Sequence, residues 1–538
     1  MKRELFIIVV LFFCSLVNGQ EIQYSGRVID AKYHTPVPYA AVYIHSTNHG
    51  AVANNVGEFS FNAPNTLNNL QLVVAKDGYK IIYINSNNLI TSDLVIELQP
   101  DDSEERAKML EDSLAGKSGG FNDFINKATV FVKDDWIPLG NPETNKLDFG
   151  RIQTLPTYNP IEGVRLRAGF ASNSRLNPHL FIRGYAAYGF GDEKFKYRGE
   201  VTYSFDKKAY HEEEFLKNNI SIIYENDLYS PGEMHPRSQN NLLLITYRRS
   251  ENEATYRNFA EINWEREQKN GLAHTTWLRR SRMIPQGELS FKRNIGNEVL
   301  FFNTLNTSEI GLQLRYSARE AYIQKKRKRI PIDITSPVIF LSHVIGFAEI
   351  LGSNAPYHRT EISVQKRFLL GSAGRFDIVG EAMKVWNTVP FPLLVYPNQR
   401  HRHHIENNAF FLNRALEFIA DEQVTLRSTF VGNDLLLAKI PFLNKLQIRE
   451  MFSLRAAYGR LSESNQRGLA DKDNASSQFI NLYDFPLTSY EYGSQPYVEG
   501  AIGFTNILGL LRVEYVHRFS YRDHPDALLG KIRVDVTL

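Results

Sequence analysis

The chain has 538 residues, with 62 lysines and arginines against 59 aspartates and glutamates, so its formal net charge is +3 at pH 7. A charge this close to zero gives no reason to expect a nucleic-acid partner. The chain has one cysteine, Cys14, and it lies in the first 19 residues. If those residues are removed, disulfides, thiolate catalysis and cysteine-ligated metals are excluded.

The amino terminus, residues 1–19, is predicted to be a secretory signal peptide. Two basic residues precede an apolar run from Leu5 to Val17, and compact residues follow, so the mature chain is expected to begin at Gln20. The apolar run is about 13 residues long, shorter than the roughly 20 that a membrane-spanning helix needs. Lipidation of Cys14 is disfavoured, because large apolar residues precede it where small ones are expected.

Residues 20–100 are predicted to form a small soluble β-sandwich. Short strand-like runs alternate with turns rich in glycine, proline and asparagine, a pattern typical of such domains. The predicted strands are Tyr24–Asp30, Ala40–Ile44, Gly57–Phe61, Leu70–Ala75, Lys80–Ile84 and Leu94–Leu98.

Four motifs in this region fall in an order that resembles the carboxypeptidase-regulatory-like domain. They are SGRVID at 25–30, TPVPYA at 35–40, NNVGEF at 54–59 and KDGY at 76–79. That family is the transthyretin-like accessory module of carboxypeptidases, not their zinc-binding catalytic part, and no His-Glu-x-x-His motif occurs in this chain. The resemblance implies a domain in the periplasm, where it could bind a periplasmic protein.

Residues 101–162 are predicted to be a linker. The charged stretch from Asp102 to Ala115 could form a short helix, which Gly119 and Gly120 would end. About 60 residues are too few for the plug of a TonB-dependent transporter, and the barrel that follows is too short for 22 strands with long outer loops.

From residue 163 to residue 538, short segments alternate apolar and polar residues between polar turns. In the last segment Ile532 and Val534 share one face and Arg533 lies on the other, because side chains in a strand alternate with period two. The pattern predicts an all-β chain whose larger part is a transmembrane antiparallel β-barrel of about 14–16 strands. A soluble sandwich is the alternative, but it would have to bury many tyrosine hydroxyls that a membrane rim accepts readily. Segments 287–307 and 332–352 alternate poorly, so the pattern does not decide whether they are strands or loops.

Several motifs of this part resemble one family. They are YNPIEGVRL at 158–166, RGYAAYG at 183–189, PFPLL at 390–394, IPFLNKL at 440–446, PYVE at 496–499 and LRVEY at 511–515. Together they resemble a Bacteroidota outer-membrane β-barrel family of unknown function that carries the carboxypeptidase-regulatory-like domain in front of the barrel. The resemblance implies a fold and a place in the cell, and it supplies no reaction or substrate. The fold also implies contact with outer-membrane lipid and insertion by the outer-membrane barrel assembly machinery.

If the apolar faces meet lipid, the opposite faces carry arginines into the lumen. The predicted lumen-lining residues are Arg165, Arg167, Arg198, Arg315, Arg367, Arg449, Arg455, Arg512, Arg518 and Arg533. One interpretation is a pathway or cavity for anionic solutes, since rings of arginine select anions. The other is that these charges pair with inward carboxylates and infolded loops to fill a closed lumen.

No catalytic residue, cofactor or metal site is predicted, because no nucleophile elbow, phosphate-binding loop or dinucleotide fingerprint occurs in the sequence. The sequence HRHH at 401–404 could hold a metal if it formed a strand, but it is more typical of a solvated loop. The basic run at 325–329 could contact lipopolysaccharide headgroups, although a solvated charge run is the favoured interpretation.

The predicted function is a non-catalytic transport or binding component of the outer membrane with a periplasmic interaction domain. One alternative is an envelope scaffold with a filled lumen, in which the sandwich binds a periplasmic partner. Another is a barrel enzyme with a site at the outer rim, because such sites are assembled from different strands and have no linear motif.

Overall fold

A computed structural model describes residues 21–536, with internal gaps. The gaps are 32–33, 38–39, 45–49, 55, 65–70, 77–78, 80–81, 86–91, 100–135, 142–143, 151–155, 230–252, 296–297, 319–321, 325–328, 332–335, 354, 371–372, 398–408, 415, 433–436, 438–439, 441–447, 467–485, 487–488, 508–510 and 526. The predicted signal peptide, the predicted helix at 102–115, the histidines at 401–404 and most of the basic run at 325–329 lie outside the described residues.

The amino-terminal region forms two small sheets. Its strands are β1 (Glu21–Asp30), β2 (Ala41–Ile44), β3 (Gly50–Val52), β4 (Glu58–Pro64), β5 (Gln71–Ala75), β6 (Ile82–Asn85) and β7 (Leu94–Leu98). One sheet has the order β4-β1-β7, with β1 and β7 parallel, and the other has the order β3-β2-β5-β6. Alternate residues of both sheets point into one apolar core that includes Val28, Val42, Val74 and Leu98. This packing agrees with the sandwich predicted from the strand pattern.

The turn before β4 depends on Gly57, whose φ of 77° lies in the left-handed region. A Cβ at this position would lie 2.5 Å from the backbone oxygen of Val28. Replacing Gly57 by alanine is therefore expected to destabilise the sandwich by about 1–2 kcal/mol, the cost of the left-handed conformation for an L-residue. Hydrogen exchange of the β1 and β4 amides in the full chain measures this loss. Val56→Ala in the same turn should change little, and equal protection in the two variants would contradict the prediction.

The rest of the described chain is dominated by one sheet. Its strands are β8 (Trp136–Pro138), β9 (Leu147–Gly150), β10 (Pro156–Asn159), β11 (Gly163–Ser172), β12 (Leu180–Gly189), β13 (Lys194–Ser204), β14 (Asn218–Tyr229), β15 (Glu253–Glu267), β16 (Leu272–Gly287), β19 (Leu305–Tyr316), β22 (Val338–Gly346), β23 (Tyr357–Leu369), β24 (Gly374–Val385), β25 (Glu422–Gly432), β26 (Arg449–Arg460), β27 (Tyr497–Ile507), β28 (Leu511–Arg518) and β29 (Gly530–Val536). Two hairpins lie outside this sheet, one of β17 (Phe291–Ile295) with β18 (Glu298–Phe302) and one of β20 (Tyr322–Gln324) with β21 (Arg329–Pro331).

The large sheet closes into a ring. From β11 to β29 each strand pairs with its neighbour in the sheet, β29 is followed by β8 and β9, and β9 pairs back onto β11. The pairing of β9 with β11 joins the two ends of the sheet, as closure of a barrel requires, and β10 pairs with β11 alone among the described strands. The predicted fold class, a β-barrel preceded by a small sandwich, is confirmed.

Over the described residues the sheet contains 18 strands, where about 14–16 were predicted. The difference comes from β8, β9 and β10, which arise within the predicted linker and have only 3 or 4 residues each. β9 and β10 pair with opposite halves of β11, at Phe170 and at Leu166. Runs this short do not contain enough alternation to be distinguished from a linker by period alone.

Consecutive antiparallel strands place alternate connections at the same end of the barrel. We call one end the loop end; it carries connections 160–162, 190–193, 230–252, 288–304, 347–356, 386–421, 461–496 and 519–529. The other, the turn end, carries 173–179, 205–217, 268–271, 317–337, 370–373, 433–448 and 508–510 and lies next to the end of β29. Three short 3₁₀ helices, Ile350–Gly352, Phe391–Leu393 and Glu463–Asn465, lie in loop-end connections.

The two faces of the barrel wall differ as the alternation predicts. On β13, Phe195 is 69% exposed and Tyr203 is 47% exposed, while Lys196 and Glu200 on the other face are 0% and 6% exposed. The wall therefore presents apolar side chains outward and polar ones inward. Among the residues described, none of the helices is both long enough and apolar enough to cross a membrane.

Candidate functional site

All ten predicted arginines lie at inward positions of the wall, and most of them contact a carboxylate. Arg165 binds Asp227 through two hydrogen bonds of 2.7 and 2.8 Å, and Arg198 lies 2.5 Å from Glu225. Ion pairs also join Arg367 to Asp377, Arg455 to Glu499, Arg512 and Arg533 to Glu514, and Arg518 to Glu417. Arg167 and Arg315 stand over the rings of Tyr185 and Phe340, and Arg449 is half-buried.

Part of the connection between β24 and β25 packs inside the barrel. We call residues 409–421 the inserted loop. Of its described side chains, only Arg414 is more than 5% exposed. Backbone bridges hold it on both sides, from Ala420 to Val395 and from Phe418 to Tyr490. A loop with this burial is part of the folded core and not a surface connection.

Phe411 of the inserted loop lies between two arginines of the wall. Its ring centre is 3.2 Å from Cζ of Arg533 and 4.2 Å from Cζ of Arg455, within the range of a cation–π contact. The backbone N–H groups of Phe411 and Leu412 donate to the Glu499 carboxylate at 2.9 and 3.0 Å. The buried carboxylate of Glu499 thus compensates the charge of Arg455 and accepts hydrogen bonds from two backbone N–H groups of the inserted loop.

Glu417 is the second anchor of the inserted loop. Its two carboxylate oxygens accept hydrogen bonds of 2.5 and 3.1 Å from Arg518 on β28, and Nδ1 of His524 lies 2.8 Å away. Arg518 also donates to the backbone oxygens of Ser520 and Tyr521. Both members of the pair are almost completely buried, so each needs the other to compensate its lost hydration.

Phe418, the next residue, packs into an aromatic cluster formed by loop-end residues. Its ring centre lies 4.9 Å from that of Tyr492, 5.1 Å from Tyr497 and 4.9 Å from Tyr521. Burial raises the pKa of Tyr492 and of Tyr521 above the ordinary tyrosine range, so both hydroxyls stay protonated at neutral pH. The cluster joins the inserted loop to connections 461–496 and 519–529.

A further apolar cluster lies at the loop end of the interior. The segment before the inserted loop contributes Val389, Phe391, Leu394 and Val395, which pack with wall residues such as Tyr357. Phe291 of the β17–β18 hairpin packs on Phe391 with ring centres 5.6 Å apart. Together with the inserted loop, these residues form a packed core at the loop end.

The turn-end half of the interior is less filled. Inward side chains there on β19 to β23 are only partly buried, namely Gln313, Arg315, Phe340, Ser363 and Gln365. Arg367 beside them is 11% exposed and pairs with Asp377. Of the ten predicted arginines, Arg315 thus lies among partly exposed inward side chains.

Two further groups of buried ion pairs lie on the inner face of the wall, on other strands. Lys196 contacts Asp192 and Glu162 at 2.6 and 3.0 Å, and Arg279 contacts Glu261 and Glu309 at 2.5 and 3.0 Å. These pairings match the alternative in which inward arginines are compensated by inward carboxylates. No group of three or more His, Cys, Asp or Glu side chains that could hold a metal is found in the described ranges.

The alternation of the strands predicts the inward arginines but not the residues of the inserted loop that contact them or pack beside them, Phe411, Glu417 and Phe418. The available signal was the apolar run AFFLN at 409–413, which follows the mostly polar stretch 397–408. An apolar run inside a long connection indicates a buried segment, although it does not identify what the segment contacts.

Comparison with known proteins gives two family matches. The CarboxypepD_reg-like domain matches residues 24–107, which confirms the resemblance of the amino-terminal motifs. The C-terminal domain described as a family of unknown function (DUF5686) matches residues 140–463, more than half of the chain. No curated protein matches the sequence.

Two solved structures are similar to the chain at very low identity. BamA from Haemophilus ducreyi lacking POTRA domains 1–3 is 10% identical, with 73% of this chain and 70% of that chain covered and a TM-score of 0.44. CdiB from Escherichia coli is 8% identical, with 82% and 77% covered and a TM-score of 0.40. The chain thus combines a CarboxypepD_reg-like domain with a barrel, and it belongs to the family of unknown function DUF5686.

Proposed function

We propose that this protein is a non-catalytic binding component of the outer membrane. In this proposal its barrel is closed at the loop end by the inserted loop, and its sandwich domain binds a partner in the periplasm. The main support for this proposal is that the inserted loop is buried against charged residues of the wall. Glu417 forms an ion pair with Arg518, and the Phe411 ring makes cation–π contacts with Arg455 and Arg533.

A membrane location is supported by the outer face of the wall. Large apolar side chains are exposed on neighbouring strands, including Ile222 at 58%, Ile262 at 50% and Leu278 at 54%. These three residues are cross-strand neighbours on β14, β15 and β16. A contiguous apolar surface of this kind is unfavourable in water and is what lipid requires of a barrel.

The orientation follows from the connections. Outer-membrane barrels carry short turns on the periplasmic side and long loops outside. The turn end, which lies next to the carboxyl end of β29, is therefore assigned to the periplasm. The sandwich is assigned to the same compartment, and insertion of the barrel is assigned to the outer-membrane assembly machinery.

A closed lumen is favoured over an open pore because the inward charges near the inserted loop are not hydrated. Arg427, Arg455 and Arg518 are at most 2% exposed. Arginines lining a water-filled pathway would keep their guanidinium groups in contact with water. The half-buried positions at the turn end are compatible with a ligand that enters from the periplasmic side without crossing the barrel.

Single-channel recording tests the closed lumen. Refolded mature protein in a planar bilayer is expected to show no steady conductance, although it should be folded as judged by heat-modifiable migration. A stable conductance from folded protein would contradict a closed lumen and favour the pore interpretation.

Deletion of residues 21–100 tests the sandwich separately. Cross-linking in cells followed by affinity capture is expected to recover a specific periplasmic protein with the full chain and to lose it with the deletion. The deleted protein should still reach the outer membrane. Equal recovery from both chains would exclude the sandwich as the binding domain.

A further inference from the structure

Two arginines on the outer face of the barrel are not part of the network inside it. Arg280 and Arg282 lie on β16 at positions that share a face with the exposed Leu278, and both are exposed. In the described part of the chain neither forms an ion pair or a side-chain hydrogen bond. An unpaired arginine on the lipid-facing side is costly at the bilayer midplane and is tolerated near the interface.

The surrounding residues place these arginines at the edge of the apolar face. They are the ninth and eleventh residues of β16, and a membrane-crossing strand has roughly 9 to 11 residues. Arg282 belongs to a polar row, because Asn226 pairs with Asn258, Asn258 with Arg282, and Arg282 with Asn306.

Aromatic residues mark the same edge. Tyr224 and Tyr197 are exposed with ring centres 5.9 Å apart, and Asn258 donates a hydrogen bond of 3.0 Å to the Tyr224 hydroxyl. Tyrosine is enriched where a barrel meets the membrane interface. The polar row therefore lies at the level of lipid headgroups on the loop-end side.

An exposed apolar pair lies beside the arginines. A Cβ on Gly352 would be 4.0 Å from a guanidinium nitrogen of Arg280, so the connection 347–356 runs next to it. That connection is fixed to the wall where Ser308, the β19 partner of Arg280, donates to the Ile350 oxygen at 2.8 Å. Ile350 and Leu351 are 50% and 64% exposed. Two cations and two apolar side chains thus form one exposed surface.

We infer that Arg280, Arg282, Ile350 and Leu351 form a binding site for a phosphorylated lipid of the outer leaflet, namely lipid A of lipopolysaccharide. The guanidinium groups contact the headgroup phosphates, since a guanidinium matches phosphate geometry with two parallel hydrogen bonds. The apolar pair contacts the first carbons of the acyl chains. The inference rests on the outer-membrane location proposed above and adds a ligand for the outer face.

Native mass spectrometry of the refolded mature chain in detergent, titrated with diphosphoryl lipid A, tests the site. The variant Arg280→Ala/Arg282→Ala is expected to bind lipid A roughly thirtyfold more weakly, since each basic residue near an anionic lipid surface contributes about a fivefold factor. The matched control is Arg266→Ala/Lys366→Ala, which removes two cations from the outer face at the turn end. The control should bind within twofold of the unchanged chain.

Several outcomes would overturn the inference. They are equal binding by the Arg280/Arg282 variant, an equal loss in the control, and tight binding of phosphatidylglycerol or inorganic phosphate that depends on the same two arginines. If the double variant does not fold, Arg280→Gln and Arg282→Gln are measured singly and should each weaken lipid A binding severalfold. Single-channel recording of the same variants does not depend on this site. Failure of the lipid-binding test would therefore not contradict the proposed closed lumen.

Discussion

Replacement of Glu417 by alanine is expected to detach the inserted loop and to lower the free energy of unfolding by about 3–5 kcal/mol, the usual cost of removing one partner of a buried ion pair. Arg518 is 0% exposed and would keep its charge without the two hydrogen bonds that Glu417 accepts. His524 would lose the same partner. Urea unfolding of the refolded barrel in vesicles, followed by tryptophan fluorescence, measures the change.

The control for this variant is Glu463→Ala. Glu463 is an exposed carboxylate in another loop-end connection, so its removal should change stability by less than 0.5 kcal/mol, as is usual for surface positions. A double-mutant cycle with Arg518→Ala should give a coupling energy above roughly 1 kcal/mol. If Glu417→Ala leaves the free energy of unfolding almost unchanged, the inserted loop is held by its apolar contacts alone.

The period-two pattern predicted which face each barrel residue occupies, but not what lies opposite it. Arg518 was expected to face inward, and in the structure it is buried. Its partner Glu417 is 101 residues away in the chain, and the Phe411 N–H that binds Glu499 is 88 residues away. Such contacts depend on how the ring closes and where a loop folds back. Alternation within one strand carries no information about either.

The segment 287–307 shows why some stretches alternate poorly. Its strands β17 and β18 form a hairpin outside the barrel wall. Leu289 and Phe291 there pack into the loop-end apolar cluster, not against lipid. A hairpin that is not part of the barrel wall is under no requirement to alternate apolar and polar residues. The same reasoning applies to the short strands of the predicted linker, which are too brief to establish a period.

Shortening the connection that contains the inserted loop is expected to convert the closed barrel into an anion-selective channel. The variant replaces residues 397–419 by Gly-Gly-Ser, which removes Phe411 and Glu417. Among the side chains that the structure describes, the wall that the loop covers carries five inward arginines and three inward carboxylates, so we expect the exposed lumen to have an excess of positive charge. These residues are Arg427, Arg455, Arg512, Arg518 and Arg533 with Glu381, Glu499 and Glu514. Rings of arginine favour anions in a pore, and reversal potentials across a KCl gradient measure the selectivity.

Adding Arg455→Ala and Arg533→Ala to the shortened chain provides the discriminating comparison. Both side chains contact Phe411 in the intact protein, so after shortening they are the arginines most directly uncovered. Their removal leaves equal numbers of arginines and carboxylates on that wall and should abolish the anion preference while keeping the conductance. If the shortened barrel is folded but shows no conductance, the apolar cluster alone closes the lumen. Cation selectivity would instead mean that the arginines remain paired and that other inward carboxylates line the opened path.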